Sequence, residues 1–575
     1  MTAPYALPAE DASATADEVT LYQRTYNTLL RSRGETDLRI LESSHRTIRS
    51  SLHPLADSDE LDLGAFIYSI QRLPKTIYAA RVVVMGQESV QFDRAGIGPL
   101  DDWPTRESPA RRRRWYEGPD GEFAVLLASS SDLDDLIPTL VAYQIEWNKL
   151  RVRLRATGWP PADGGAVHDP ATLAETLGGA AEDWDRLVSV WGEAFEERMA
   201  LVASEHRLRL RIRMLGGSSV GYARMTRRWF APVSEAIDAT GFGDGPLYVV
   251  SSNTHSLANL VTGEALRHED ELVKWVETEG PEDLREELTM FREGRTRGSW
   301  ENFLYFVARD YFDAFPDRGE QRHQAEREAG VLHLHSKTAL RVAAQVIPLA
   351  QLAHDRLDPR LGPVDADALR DSRAVILNID YPLGLAAYNI LREITEDRDT
   401  LAGVYVLGKA ATLNADVGDV MISSTVHDEH SDTRYWLDNA FGVEDIAPFL
   451  RFGSGLDNQR AVTVKSTFLQ NRAYLDRWYR EAYTVVEMEA GPYCAAVYEL
   501  AETARYPVGE QVSFSKLPID FGIIHYASDT PYTQARTLGA RGLSYRGMDS
   551  TYASSIAILR RIFDREGAIE AATTA

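Results

Sequence analysis

Val485-Val486-Glu487-Met488-Glu489-Ala490-Gly491 leads into an apolar helical pattern that continues through Cys494 to Leu500. The phrase sets two carboxylates and a thioether where a strand-like run gives way to a helix. Open α/β sheets bind ligands at the carboxyl ends of their strands. An unpartnered buried Glu costs several kcal/mol, so a Glu here has a cation or hydroxyl groups to bind, and a sugar diol is one such partner.

The surrounding chain sets the class of molecule. Its 575 residues exceed what one hydrophobic core organises, so two domains are the default expectation and three the alternative. A formal net charge of -24 disfavours general binding to nucleic acid or anionic membrane and fits a protein that handles small molecules. Cys494 is the single cysteine, which excludes an intramolecular disulfide framework or a Cys-rich zinc site and is consistent with the cytoplasm. No stretch approaches the roughly 18 apolar residues of a membrane helix. The opening MTAPYALPAEDASATADE is acidic where a signal peptide is basic and then apolar.

Residues 1–18 read as a disordered leader, and the apolar spacing of Leu21 to Ser51 predicts a helix. β-like runs follow at Thr76 to Met85, Phe123 to Ser131, Leu208 to Gly217 and Leu247 to Ser252, each closed by small polar residues and followed by a helical pattern. Strands alternating with helices imply a mostly parallel sheet, so residues 19–345 read as an N-terminal α/β, Rossmann-like domain. Thr338 to Leu357 reads as an amphipathic helix, and the Pro-rich DPRLGPVDAD places a linker at 346–370. Residues 371–575 form a second α/β series, with strands at Ala374 to Asp380, Gly403 to Leu407, Gly418 to Ser423, Ala461 to Ser466 and Phe521 to Ala527. A long helix at Thr551 to Phe563 closes it.

Within residues 374–563 four phrases follow in order: VLGKAATL with GDVMIS, VKSTFLQN, VVEMEAGP and IIHYASDTP. Their order resembles the nucleoside phosphorylase and nucleosidase family, which includes purine nucleoside phosphorylases and methylthioadenosine nucleosidases. VEMEA followed about 40 residues later by a strand ending in Ser-Asp is the specific element, and the resemblance covers roughly a third of the chain. It implies a mixed sheet flanked by helices that cleaves an N-glycosidic bond, as a hydrolase or as a glycosyltransferase using phosphate. Glu489 then binds the ribose hydroxyls with Met488 on the sugar, and Glu487 joins the substrate-binding set. Asp529 protonates N7 of the leaving purine, beside Ser528. Phe468 stacks on the base, whose edge meets the backbone of Leu469.

The chemistry agrees with those roles. A carboxylate taking two hydroxyl protons makes a charge-assisted bidentate contact and stabilises an oxocarbenium-like transition state. A purine anion leaves poorly unless an acid protonates it as the bond breaks. Each residue also has a plainer reading: acids favour a helix start, Ser-Asp-Thr-Pro caps a helix, and an aromatic after a strand packs in a core.

The chain departs from the family at two places. After Gly408, where small residues are usual, stands Lys409, able to hold phosphate, a substrate 5′-phosphate or an acidic residue. The turn Asp380-Tyr381-Pro382-Leu383-Gly384 has none of the arginines of the phosphorylases, and offers instead Asp380, a carboxylate that can activate water. This favours hydrolysis over phosphorolysis. Arg434, Arg451 and Arg460 stay unplaced. No organic cofactor or metal is implied, inorganic phosphate being the one candidate co-substrate, and a homo-oligomer is expected. A sensor that keeps the pocket without turnover is the alternative.

Other motifs carry less. His427-Asp428-Glu429-His430 reads as a solvated loop rather than a metal cluster. Gly216 to Gly221 (GGSSVG) opens a helix at a turn able to hold an anion. Arg111 to Arg114 is the only basic run and, on so acidic a chain, is expected to pair with acidic surface or with phosphate at a subunit contact.

Overall fold

The computed structural model describes residues 9–32, 34–159, 168–204, 206–502, 505–531 and 545–569, and the chain forms a mixed α/β fold built on two sheets. The first sheet contains β1 (Thr36–Asp37), β2 (Val82–Gly86), β3 (Thr105–Ser108), β4 (Arg111–Glu117), β5 (Glu122–Leu126) and β6 (Arg211–Met214), in the order β1-β6-β2-β5-β4-β3. Only β2 pairs in parallel, with β5 and β6, while β3, β4 and β5 form an antiparallel meander. A mostly parallel, Rossmann-like sheet is therefore not what forms. The short connections from Ser108 to Arg111 and from Glu117 to Glu122 admit hairpins only, because parallel neighbours need a crossover of a dozen or more residues.

The second sheet holds eleven strands: β7 (Leu247–Ser252), β8 (Leu332–Leu334), β9 (Ala344–Pro348), β10 (Val375–Asp380), β11 (Leu401–Thr412), β12 (Val420–Asp428), β13 (Thr433–Leu437), β14 (Gly455–Thr463), β15 (Val485–Glu487), β16 (Gln511–Phe514) and β17 (Asp520–Asp529). β7 lies between β10 and β11 and is parallel to both. The sheet thus draws in strands from well before residue 346, and the linker expected at 346–370 separates no sheet from another. After the end of β9 at Pro348, that segment is short 3-10 turns with the helix Ala366–Asp371, and Leu349, Leu352, Leu361 and Leu369 pack into a second apolar core.

Around β11 the sheet closes on itself. β11 pairs with β15, β15 with β14, β14 with β12, β12 with β17, and β17 with β11 again. The period-2 alternation of buried residues explains how both faces are covered. Leu247 and Val249 of β7, and Val404 and Val406 of β11, face the core shared with the first sheet, whereas Tyr248, Val250, Tyr405 and Leu407 face the core under the helices Trp300–Ala314 and Met548–Arg565.

Two helix expectations change. Leu21 to Ser51 contains two helices, Ala9–Leu30 and Arg39–Thr47, with Gly34 and the short β1 between them, and the first begins inside the expected leader. Residues 1–8 lie outside the described residues. Thr338 to Leu357 holds β9 and two 3-10 turns rather than an α-helix, because all five residues of β9 are buried between β8 and β10, and a short apolar run has no periodicity to separate the two.

A fragment of residues 371–575 lacks β7, so β10 and β11 lose the strand between them and the apolar faces they share with it. It is expected to be insoluble or to lack cooperative thermal unfolding by circular dichroism; a soluble fragment with a sharp transition would place a folding boundary near residue 370 after all.

Candidate active site

The register of β11 sets the site. Ala411 pairs with Val486 of β15 on one side and with Asp529 of β17 on the other, across a register shift in β17. Val486 and Asp529 thus each stand one strand spacing, about 4.8 Å, from β11. β7, β10, β11 and β17 run parallel, so Asp380, Lys409 to Ala411, Ser528 and Asp529 come together at their carboxyl ends. A cavity of about 1080 Å³ opens there, and the first sheet supplies its other wall through Thr105 to Arg114, the helix residues Tyr68 and Arg72, and Ser129 and Asp132.

Of the carboxyl groups that line this cavity, Glu487, Glu489 and Asp529 come from the strand-to-helix turn after β15 and from the end of β17. Glu487 is buried, and its oxygens are in use: Oε2 accepts the backbone N–H groups of Glu489 at 2.6 Å and Ala490 at 2.7 Å, and Oε1 accepts the Thr463 hydroxyl. It lines the cavity with both oxygens taken by the backbone at the start of the helix Ala490–Ala501 and by Thr463. Burial pushes Glu487 up to about 7. Gly491 follows because Asp428 packs on this turn, and an added Cβ would lie 2.6 Å from the Asp428 Cβ.

Glu489 is half-buried and lines the cavity, raised to about 8 by burial and by the Glu487 charge. Asp529 is 2% exposed, its Oδ2 has no hydrogen-bond partner, and burial raises it to about 7 against the pull of Lys409. An acid titrating near neutrality in the wall of a cavity is suited to proton transfer. Ser528 lines the cavity beside it and donates to the Ala410 carbonyl at 3.3 Å. Met488, Gly408 and Lys409 also line the cavity. Lys409 lies among Arg111, Asp529, Arg72 and Glu489, and burial lowers its ammonium.

Phe468 and Leu469 are not in the cavity wall. Phe468 is buried edge-on against Tyr68 with ring centroids 5.2 Å apart, and against His45 and His53. The Leu469 side chain is in the core and its N–H donates to the Ser466 carbonyl at 3.2 Å. A base platform at Phe468 is thereby replaced by a core contact that the first sheet's unit completes. Gly384, with φ 54° and ψ -124°, makes the turn after β10 close under Ser131, whose hydroxyl accepts the Leu385 N–H; it positions the helix Leu385–Asp397 and does not line the cavity. Asp380 lines the cavity, but Arg112 holds it at 2.6 Å.

The basic run is strand β4. Arg111 forks onto Asp135 at 2.9 and 2.7 Å, and Arg113 joins Asp132 at 2.7 Å and Asp135 at 2.6 Å. These bonds stiffen a wall of guanidinium groups supplied by the first sheet. Their signal in the sequence was the run itself; Arg72 and Tyr68 had none. His427 and Asp428 end β12 and are buried, with His427 against Trp478 and His430 Nδ1 2.8 Å from Asp428, so this is no solvated loop. Among the described residues no group of three or more His, Cys, Asp or Glu side chains is arranged to hold a metal ion. Nor is any described helix long and apolar enough to cross a membrane.

Residues 38–564 match the model of a family described as "Family of unknown function (DUF6909)", and the chain belongs to that family. The match takes in every strand of both sheets except β1. No curated protein matches. Among solved structures, the chain is similar to a 5'-methylthioadenosine/S-adenosylhomocysteine nucleosidase from Neisseria meningitidis in complex with methylthio-immucillin-A (15% identity, TM-score 0.27, covering 42% of this chain and 94% of that one). It is also similar to one from Colwellia psychrerythraea 34H in complex with adenine (12%, 0.28, 40% and 86%), and to a purine nucleoside phosphorylase from Toxoplasma gondii in complex with immucillin-H (10%, 0.29, 57% and 94%). At such scores no role passes from these proteins to a residue of this chain.

Two stability measurements check the electrostatics. Glu487→Ala strips the cap from the helix Ala490–Ala501 and is expected to lower stability by about 2 kcal/mol in denaturant titration; an unchanged midpoint would mean the cap is dispensable. Asp529 has a folded value of about 7 against an ordinary 3.8, so its contribution is fully present below pH 3.8 and is lost as pH rises to about 7. Asp529→Asn is therefore expected to match the parent protein in Tm at about pH 4 and to exceed it at about pH 8, where the parent has lost on the order of 4 kcal/mol. Equal Tm differences at both pH values would show that Asp529 titrates normally.

Proposed function

We propose that the chain cleaves the N-glycosidic bond of a purine nucleoside or nucleotide, by hydrolysis. The observation that carries this reading is the pairing of Ala411, which holds Asp529 and the Glu489 turn on opposite sides of one strand. The C1′–N bond breaks with its electron pair leaving on the base, and Asp529, protonated at and below neutrality, delivers the proton the base needs. Glu489, as the carboxylate, accepts from the ribose hydroxyls, with Met488 against the sugar, and its negative charge stabilises the positive charge that grows on C1′. Asp380, kept in place by Arg112, accepts the proton of the attacking water.

Base release is measured chromatographically from a panel of purine nucleosides and their 5′-monophosphates, with and without phosphate. Asp529→Asn is expected to lower kcat/KM by roughly 100-fold or more. In the parent protein kcat/KM is expected to fall as pH rises through about 7, because only neutral Asp529 donates, and the variant should lose that limb. No free base from any member, or full activity in Asp529→Asn, defeats the reading.

A further inference from the structure

A second cavity lies within the first sheet's unit, behind the wall that unit presents to the candidate active site. It holds about 100 Å³ and forms where the end of the helix Leu63–Arg72, the 3-10 turn Ile77–Ala79, the long helix Ser130–Thr157 and the turn Gly192–Ala194 meet. The two cavities are distinct. The Ala110 N–H donates to the Gln71 carbonyl at 2.8 Å, closing the helix end onto the hairpin that carries Arg111, and Pro109 is the one described residue that lines both.

The walls of this chamber are aromatic. Tyr78 and Trp147 stand nearly parallel, with centroids 6.0 Å apart and planes at 9°, Tyr143 leans on Trp147 at 5.6 Å, and Trp191 closes the side. The polar groups gather at one end. Tyr143 is buried, its hydroxyl makes no hydrogen bond among the described residues, and the charges nearest to it are the Arg198 guanidinium and the Tyr78 phenol. Arg198 lies with its guanidinium carbon 4.9 Å from the centroid of the Tyr78 ring, steadied by one bond from Nη1 to the Lys75 carbonyl at 2.9 Å. Neither Arg198 nor Lys75 forms an ion pair among the described residues, on a chain with 86 acidic side chains against 62 basic ones.

Size and chemistry together select a ligand. Ordinary small-molecule pockets begin at roughly 300 Å³, so a nucleoside does not fit. An apolar cavity of about 150 Å³ takes benzene, so a chamber of about 100 Å³ with its mouth at the exposed Lys75 takes one six-membered ring whose substituent stays at the mouth. A flat ring gains offset and edge contacts from aromatic walls. At the mouth two cations repel an amine, whereas a guanidinium and a phenol O–H both donate to a carboxylate.

We propose that this cavity is a second ligand site, for a monocyclic aromatic carboxylic acid. The ring lies among Tyr78, Tyr143, Trp147 and Trp191, and the carboxylate meets Arg198 and the Tyr143 hydroxyl, with Lys75 adding its charge at the mouth. The site is independent of the N-glycosidic reading, because it shares no residue with the groups assigned to that chemistry.

Benzoate is titrated into the full-length protein by calorimetry, beside benzyl alcohol, benzylamine and acetate, and saturation-transfer NMR is recorded on the same mixtures. Benzoate is expected to bind at least roughly tenfold more tightly than each of the three, since each lacks either the ring or the negative charge beside it. Arg198→Gln should weaken benzoate by at least roughly tenfold, and Ala194→Phe, which fills the cavity from a half-exposed turn, should abolish its binding. Arg198 is itself half-exposed, so its variant keeps the test valid if Ala194→Phe does not fold. Lys409→Gln, in the other cavity, should leave benzoate binding unchanged. Benzoate binding lost in Lys409→Gln but kept in Arg198→Gln places the acid in the larger cavity and overturns the site. Binding indifferent to Arg198→Gln, binding that survives in a folded Ala194→Phe, equal affinity for benzyl alcohol or benzylamine, or neither heat nor saturation transfer with benzoate overturns it as well.

Discussion

Everything at this site depends on one strand having two partners. β11 is hydrogen-bonded antiparallel to β15 and parallel to β17, and both pairings reach Ala411. A backbone strand has donors and acceptors on two edges, and when both are satisfied the neighbours on either side are fixed at the strand spacing. That constraint brings together residues 40 apart in sequence, Glu489 and Asp529, without any contact between their side chains. The ring through β14 and β12 locks the register, because a slip of one residue would send every buried side chain of β11 to the wrong face.

Within this frame the carboxyl groups divide by what satisfies them. Glu487 has backbone and hydroxyl donors on both oxygens and acts as part of the fold. Asp529 has a free oxygen and Glu489 only a weakly screened neighbour, and burial makes both easy to protonate near neutral pH. Holding such groups lowers stability as pH rises, the usual cost of a preorganised acid site.

The first sheet's unit is tied to the second by a continuous core. Val83 and Phe123 share it with Val249 and Val404, and Phe468 of the second half is packed against Tyr68 of the first. The same surface delivers the guanidinium wall. On a chain of net charge -24, these cations gather where the cavity is, and the acids Asp132 and Asp135 orient them rather than neutralise them all.

The sequence alone determined the elements whose pattern is local. β7 and β10 are legible as continuous apolar runs, the Val485 to Leu500 passage as strand turning into helix, and Asp529 as a strand-end acid. Gly384 was legible as a turn because its backbone conformation admits little else. Tertiary structure decided what depends on long-range pairing. The apolar run of β9 became a strand because β8 and β10 flank it, and β7 joined the second sheet although its neighbours in sequence are helices. Phe468 turned from cavity to core because an N-terminal helix offered it a better apolar contact, and Glu487 was claimed by the helix it caps. Arg72 had no sequence signal at all: only burial against Tyr68, with no carboxylate near, marks it out. Periodicity records which face of an element is apolar, but not which distant element will cover that face.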